Sequence, residues 1–255
     1  MIHLLTGAAI ALRAPPPVAV CHYFTCRHTY EETLCDELEQ GSPNVELSVP
    51  EAAIVKLLGA IDDVPDPAYA LQILPHAIEV RGSSINILAS AAAAALGVQP
   101  SASPAPSTAA QRVLSEAPRG SLRVHTLVPD VLRGVPHKRA KLLRRCEAIS
   151  KALVTKLRAR YACARQLRED ISSHDASHAK ETLLQLLLLN PELLVISAAP
   201  CIYQGGSLGS WPSRLPGGLV SSDLDGDLPS SAYRKLLESF AVSRISECLC
   251  PLPSS

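Results

Sequence analysis

The densest group of chemically active side chains is a run of lysine and arginine residues between Arg133 and Arg168. Twelve basic residues fall in this run and Glu147 is its one acidic residue, so the run carries a formal charge of +11. The whole chain has 24 basic and 24 acidic residues, and the remainder therefore carries −11. Such concentrated positive charge is typical of a surface that binds a polyanion, and phosphate groups are the natural anions.

Ten of these residues are candidate RNA-binding residues: Arg133, Lys138, Arg139, Lys141, Arg144, Arg145, Lys156, Arg158, Arg165 and Arg168. Aromatic residues make up 4% of the chain, and Tyr161 is the one aromatic residue inside the basic run. Because unpaired bases stack on aromatic rings, the sequence predicts contacts with RNA phosphates and helical shape, and little reading of bases. The alternative is a solvated helix whose charges pair with the acid-rich remainder of the protein.

Cysteine and histidine residues near the start of the chain form a second group that could do chemistry: Cys21, His22, Cys26, His28 and Cys35. Zinc sites usually combine two closely spaced pairs of such ligands. Four residues separate Cys21 from Cys26, and no second close pair follows within ~20 residues. The spacing therefore predicts no metal site, and we interpret the cysteines as free thiols in a reducing compartment.

The basic run lies on a predicted long helix. Residues 137–169 contain no Pro or Gly, and apolar residues recur there at intervals of three and four, among them Leu142, Ile149, Leu153 and Leu157. This pattern predicts one helix of up to ~33 residues with one buried face.

Strands flank this helix in the sequence. Residues 122–128 have strand character and are followed by Pro129. Two apolar runs, at 183–189 and 193–198, stand on either side of an Asn-Pro-Glu turn and predict a buried β-hairpin. We expect the apolar face of the helix to pack on that hairpin.

The first hundred residues mix strands and helices without strict alternation, which predicts an α+β fold. The predicted elements are a strand at 21–26, a helix at 30–40, strands at 45–49 and 71–74, and an alanine-rich helix at 84–96 that Gly97 ends. Residues 98–120 are rich in Pro and Ser and lack aromatic residues, which predicts a linker or a long surface loop.

Composition restricts the class of protein. A chain of 255 residues, 47% of them hydrophobic and 19% charged, can bury a substantial core in one or two domains. It has no apolar run near the ~18–20 residues that a membrane-spanning helix needs. We expect no membrane partner and a cytoplasmic or organellar location, with residues 1–20 a disordered or transit-like leader.

Several stretches, in this order along the chain, resemble one family: the FtsJ-type, S-adenosylmethionine-dependent ribose 2′-O-methyltransferases of large-subunit ribosomal RNA. YFTCR at 23–27, YEETL at 30–34 and DPAYALQILP at 66–75 are similar to the family's N-terminal region. LVPD at 127–130, the basic helix and the predicted hairpin resemble a THUMP-like RNA-binding module. WP at 211–212, PGG at 216–218 and PSSAYRKL at 229–236 resemble the entry into the methyltransferase domain.

The resemblance implies a role for one residue near the end of the chain. Lys235 matches the first catalytic lysine of an S-R-A-Y-x-K-L pattern, which acts on the proton of the ribose 2′-hydroxyl, whereas Ser231 replaces the arginine. The chain ends at Ser255, before the family's glycine-rich cofactor loop and its other catalytic residues. We expect no cofactor for this chain, although the family uses S-adenosylmethionine.

The resemblance also implies an organisation: a leader at 1–20, a ferredoxin-like part at 21–97, a linker at 98–120, a THUMP-like module at 121–200 with a long basic helix and a C-terminal hairpin, and the truncated start of a methyltransferase domain at 201–255. The function it implies is RNA binding for a ribosomal RNA methyltransferase, without catalysis by this chain. The partner would be structured, ribosomal RNA. The alternative is a non-catalytic interaction module whose long basic helix binds an acidic protein.

Overall fold

A computed structural model of the chain describes residues 20–40, 45–46, 53–59, 67, 69–98, 108–165 and 181–200. The predicted α+β class is confirmed: helices and two four-stranded sheets make up the described residues. The first sheet and its helix comprise β1 (Cys21–Cys26), α1 (Glu31–Glu39), β2 (Val45–Glu46), β3 (Ile54–Leu58) and β4 (Ala70–Leu74). The second comprises β5 (Ile78–Arg81), α2 (Ile85–Ala95), α3 (Ala109–Glu116), β6 (Leu122–Leu127), α4 (Pro136–Leu157), β7 (Thr182–Asn190) and β8 (Leu193–Pro200).

The first sheet has the order β2-β3-β1-β4, with antiparallel pairing throughout. Helix α1 connects β1 to β2, and β3 inserts between these two strands, which is the split βαβ arrangement of ferredoxin-like sheets. The spacing of Leu34 and Leu38 places both side chains on one face of α1, where they are fully buried against Phe24 and Leu57. This core holds α1 on one side of the sheet.

The second sheet has the order β5-β8-β7-β6. Strands β7 and β8 form the predicted antiparallel hairpin, and the Asn190 side-chain oxygen accepts a hydrogen bond of 2.9 Å from the Glu192 N–H in its turn. Strands β6 and β7 are parallel, so the chain between them must cross over the sheet, and α4 lies on that crossover.

Helix α4 buries the face that its apolar spacing predicts. Leu142, Cys146, Ile149, Leu153 and Leu157 are buried in one core cluster. They pack against β6, β7 and α2, so the helix lies on the sheet that contains the hairpin. At ~1.5 Å per residue, its 22 residues span about 33 Å.

The prediction of one helix over 137–169 is wrong in its length, because α4 ends at Leu157. The Tyr161 N–H still donates to the Leu157 carbonyl at 2.8 Å, and the chain then turns into a short 3-10 helix at Ala162–Arg165. The Tyr161 hydroxyl donates to the Leu96 carbonyl at 2.6 Å, and Cys163 is fully buried. Tertiary contacts therefore end α4 where no Gly or Pro does.

The prediction of a linker or loop over 98–120 is wrong for Ala109–Glu116, which form α3. Thr108 caps this helix, because its side chain accepts a hydrogen bond of 3.2 Å from the Gln111 N–H. Ala110 and Leu114 are buried in the core of the second sheet. Likewise β5 and α2, which the sequence grouped with the N-terminal sheet, belong to the second sheet and its core.

The two sheets pack on each other through a small apolar cluster. Tyr23 and Leu74 of the first sheet meet Leu127, Leu187 and Val195 of the second, and all five are buried. Within the described residues, no helix combines the length and the apolar character that crossing a bilayer requires.

Residues 75–77 join β4 to β5, and each is held by a hydrogen bond. The Pro75 carbonyl accepts from the Ser197 hydroxyl at 2.5 Å. The His76 N–H donates to the His22 Nδ1 at 3.2 Å, and the Ala77 N–H donates to a carbonyl of β1 at 2.7 Å. His76 adopts a positive φ of 49°, which makes this connection a tight elbow.

A polar triad also connects the sheets. The Tyr23 hydroxyl donates to Glu79 Oε1 at 2.5 Å, and the Lys56 ammonium lies 3.1 Å from the same oxygen. The hydrogen bond from Tyr23 and the charge of Lys56 lower the pKa of the Glu79 carboxyl below its ordinary value. The folded state therefore favours the ionised form of Glu79.

We expect Glu79→Gln to lower the free energy of unfolding by roughly 1–2 kcal/mol at neutral pH, because the substitution removes the negative charge that strengthens the partly exposed hydrogen bonds from Tyr23 and Lys56. In the wild type this stabilisation is complete above the ordinary pKa of glutamate and is lost as the pH falls through the lowered, folded-state pKa. Urea denaturation between pH 3 and pH 7 should show a flatter pH dependence for Glu79→Gln than for the exposed control Glu116→Gln. Equal profiles for the two variants would contradict the assignment.

Candidate RNA-binding surface

The basic residues of α4 and of the turn after it face away from the core. The exposed ones are Lys138, Arg139, Lys141, Arg144, Lys151, Lys156, Arg158, Arg160 and Arg165. Because successive helical residues are rotated by ~100°, the buried leucines direct Lys141, Arg144 and Lys151 to the outward side. From Lys138 to Lys156 the cations extend along about 27 Å of helix at 1.5 Å per residue.

Carboxylates do not neutralise these cations in the described part of the chain. The ion pairs seen there lie elsewhere: His28 with Glu31, Lys56 with Glu79, and Arg123 with Glu181. Glu147 is exposed on α4 and forms no ion pair with its neighbours there. Among the described residues, therefore, no carboxylate forms an ion pair with the cations of α4.

Charge is distributed unequally between the two sheets. The described residues up to 76 contain two basic and six acidic residues, a formal charge of −4. The described residues from 77 onwards contain 15 basic and six acidic residues, a formal charge of +9. Within the described residues, positive charge is therefore concentrated on the second sheet and its helices, and negative charge on the first.

The charges near the start of α4 do not stabilise the helix. Its first turn contains no acidic residue, and Val135 at the N-cap position provides no side-chain hydrogen bond. Lys138 and Arg139 lie where the positive end of the helix dipole disfavours cations, whereas Lys156 lies in the last turn, where cations are favourable. A bound anion near the first turn would offset the unfavourable charge.

Arg145 differs from the other predicted RNA-binding residues because its guanidinium bonds two segments that are distant in the sequence. Its Nε donates to the Pro191 carbonyl at 3.0 Å, and its Nη2 donates to the Ser83 carbonyl at 3.1 Å. These carbonyls lie in the turn of the β7–β8 hairpin and just before α2. Arg145 thus connects α4 to the hairpin turn and to the start of α2. Arg158 donates one longer hydrogen bond, of 3.3 Å, to the Ala164 carbonyl.

Three predicted functional residues have no described side chain. Arg133 lies in the short 3-10 helix Asp130–Gly134 that precedes α4, and nothing is described of its side chain. Arg168 and the family-matched Lys235 lie outside the described residues. The catalytic position of Lys235 stays a prediction.

The cysteines and histidines near the start of the chain serve the fold. Cys26 and Cys35 lie in the core of the first sheet, and burial, together with the nearby acidic groups, raises the pKa of their thiols to about 12 and about 11. His22 is fully buried, with Nε2 3.0 Å from the Gly59 carbonyl. Across the described ranges, no three His, Cys, Asp or Glu side chains are grouped as metal ligands would be.

Sequence reasoning also missed two pairs of interacting side chains. The Arg123 guanidinium forms a buried bidentate ion pair with Glu181, at 3.1 and 3.2 Å, which joins the starts of β6 and β7. The rings of Tyr30 and Tyr69 stack with centroids 5.5 Å apart, although 38 residues separate them in the sequence. Neither pair has a local signal, because its partners meet only in the fold.

Comparisons with known proteins leave the family open. No protein-family model and no curated protein matches the chain. A solved structure described as "a possible methylase from Clostridium difficile 630" is 12% identical, with a TM-score of 0.39. Another, "SMU.472, a putative methyltransferase complexed with SAH", is 14% identical, with a TM-score of 0.37. Each alignment covers 71% of this chain and 41% of the other, and similarity at this level does not establish a common activity.

We expect Arg145→Ala to lower the free energy of unfolding by about 1–3 kcal/mol, because the substitution removes two hydrogen bonds from a charged, half-buried donor. Arg144→Ala is the matched control on the same helix, and we expect it to stay within about 0.5 kcal/mol of the wild type. Urea denaturation of both variants measures the difference. Equal stabilities would show that Arg145 does not hold the hairpin.

Proposed function

We propose that this part of the chain binds structured RNA through the exposed basic side of α4, as the docking region of a ribosomal RNA methyltransferase. The observation that carries the proposal is the row of outward cations that no carboxylate of the described residues neutralises. Phosphate groups spaced along an RNA helix match such a row in charge and in length.

The proposed contacts are with phosphates and not with base edges. Lysine and arginine side chains on one helix of about 33 Å can contact several phosphates of an RNA backbone, since the backbone offers the same charge at every nucleotide. In A-form RNA the deep major groove is closed to side chains, so recognition of a duplex depends on shape and backbone. We therefore expect similar affinities for unrelated duplex sequences.

The methyltransferase part of the proposal is supported by the sequence resemblance alone. In that family S-adenosylmethionine supplies the methyl group for the ribose 2′-oxygen. Lys235 would accept the proton of the 2′-hydroxyl, by its match to the family's catalytic lysine. The described residues would hold the RNA in place for that reaction.

An acidic protein is the alternative partner for the same cations. Pairing with another protein through apolar contacts would need the apolar stripe of α4 to be exposed. That stripe is already covered, because Leu142, Ile149 and Leu153 pack against β6, β7 and α2. The exposed side of α4 is polar, which suits a highly charged, hydrated partner such as RNA.

We expect the triple variant Lys141→Gln, Arg144→Gln, Lys151→Gln to bind unrelated structured RNAs more weakly, and to a similar extent for each. The slope of log affinity against log salt should become shallower by about 0.7–0.9 for each phosphate that the variant no longer neutralises, because fewer counterions are released. Titrations at several salt concentrations with two unrelated hairpins measure both effects.

A matched control removes three exposed cations from outside α4: Arg81→Gln, Arg112→Gln, Arg119→Gln. It has the same net charge as the α4 variant and should keep a steeper salt slope. If the α4 variant retains its affinity for RNA and its salt slope, the cations of α4 contact only solvent and the proposal fails. If polyglutamate binds as tightly as RNA at equal ionic strength, the acidic-protein alternative is favoured.

A further inference from the structure

Helices α2 and α4 lie side by side on one face of the second sheet, and the first sheet packs on the opposite face. Arg145 Nη2 donates to the Ser83 carbonyl, just before α2, at 3.1 Å. The Tyr161 hydroxyl, just after α4, donates to the Leu96 carbonyl at the end of α2 at 2.6 Å. The two helices therefore run in the same direction, and their exposed sides point away from the sheet together. Axes of packed helices lie ~8–10 Å apart, so an RNA duplex, which is wider than this distance, would contact both.

The exposed side of α2 is uncharged, in contrast to that of α4. Residues 82–98 contain no Asp, Glu, Lys, Arg or His. Asn86 and Ser90 are exposed on this helix, and Ile87 between them is 51% exposed. A neutral polar helix beside a row of cations is complementary to a polyanion that presents a neutral polar surface next to its phosphates.

The side chains of Asn86 and Ser90 are available to bond a ligand. They are four residues apart on α2, so they share one side of the helix with Cβ atoms about 5–6 Å apart. On α3, by contrast, the Ser115 hydroxyl donates to the Gln111 carbonyl of its own helix at 2.8 Å. Within the described part of the chain, neither Asn86 nor Ser90 forms a side-chain hydrogen bond of this kind. Their polar groups are therefore directed to whatever lies outside α2.

The minor groove of A-form RNA offers a neutral polar surface of the matching kind. This groove is wide and shallow, and it presents ribose 2′-hydroxyls and base edges, while the phosphates lie along its sides. A 2′-hydroxyl both donates and accepts hydrogen bonds, so it can pair with an amide or with a serine hydroxyl. The small side chains around Ser90 on α2 would allow a close approach to the groove.

We propose that α2 lies over the minor groove of an RNA duplex whose phosphates α4 binds, and that Asn86 and Ser90 hydrogen-bond the 2′-hydroxyls there. The inference rests on the proposed RNA-binding function and adds to it a preference for RNA over DNA. Phosphates are common to both nucleic acids, so the cations of α4 alone would not distinguish them. The 2′-hydroxyl is the group by which a protein can make that distinction.

The test compares two duplexes of the same sequence and length, one of RNA and one in which fluorine replaces every 2′-hydroxyl. The 2′-fluoro duplex keeps the A-form and all its phosphates, so only the hydrogen-bonding group at the 2′ position changes. We expect the full 255-residue chain to bind the RNA duplex more tightly than the 2′-fluoro duplex.

The double variant Asn86→Ala, Ser90→Ala should bind the RNA duplex roughly 5- to 50-fold more weakly than the wild type, as the loss of two hydrogen bonds does. It should bind the 2′-fluoro duplex as the wild type does. Its salt slope for RNA should equal that of the wild type, because the variant loses no phosphate contact.

Two controls separate a hydrogen-bonding role from a general effect on the fold. Alanine favours helices more than Asn or Ser does, so the double variant should keep α2, and urea denaturation checks this. Ser115→Ala removes an exposed hydroxyl from α3 and should bind both duplexes as the wild type does. Equal binding of both duplexes by the wild type, or an unchanged preference in the double variant, overturns the inference and leaves the proposed function intact. If neither duplex binds, both fall.

Discussion

The burial of one face of α4 determines where the charges of this protein lie. Leu142, Cys146, Ile149, Leu153 and Leu157 leave water together when the helix packs on β6, β7 and α2. At ~25 cal/mol for each Å² of buried apolar surface, this packing is a principal stabilising term of the second sheet. Most lysines and arginines between these residues consequently lie on the outer side of the helix, and Arg145 is the half-buried exception. The packing of α4 and its exposed basic surface are therefore two consequences of one helical pattern.

That pattern is why much of the fold was predictable. Apolar spacing alone identified the buried face of α4, and the Asn-Pro-Glu turn between two apolar runs identified the β7–β8 hairpin. The end of α4 was not predictable, because Arg158 and the residues after it are compatible with a longer helix. It is the hydrogen bond from Tyr161 to Leu96, in another helix's C-terminal turn, that redirects the chain. The sequence does not predict helix α3, because the short apolar pattern of this helix lies within a segment that is rich in Pro and Ser.

The sequence predicts the charge of the candidate site. It does not predict which of the basic residues are exposed and which bond other segments of the protein. Composition places Arg144 and Arg145 in the same basic run, yet one is exposed and the other bonds two carbonyls of distant segments. Likewise the fold brings Tyr30 and Tyr69 together. Such pairings depend on tertiary structure, and a single sequence carries no local signal for them.

The elbow at residues 75–77 has a consequence for how a ligand is selected. Three consecutive residues, each hydrogen-bonded to a strand, leave no flexible tether between the sheets. The acidic and the basic surfaces are consequently preorganised at a constant separation, and association need not include the entropy of ordering one against the other. The shape of the ligand then contributes to its selection, because a stiff molecule that matches both surfaces contacts both without a rearrangement of the two sheets.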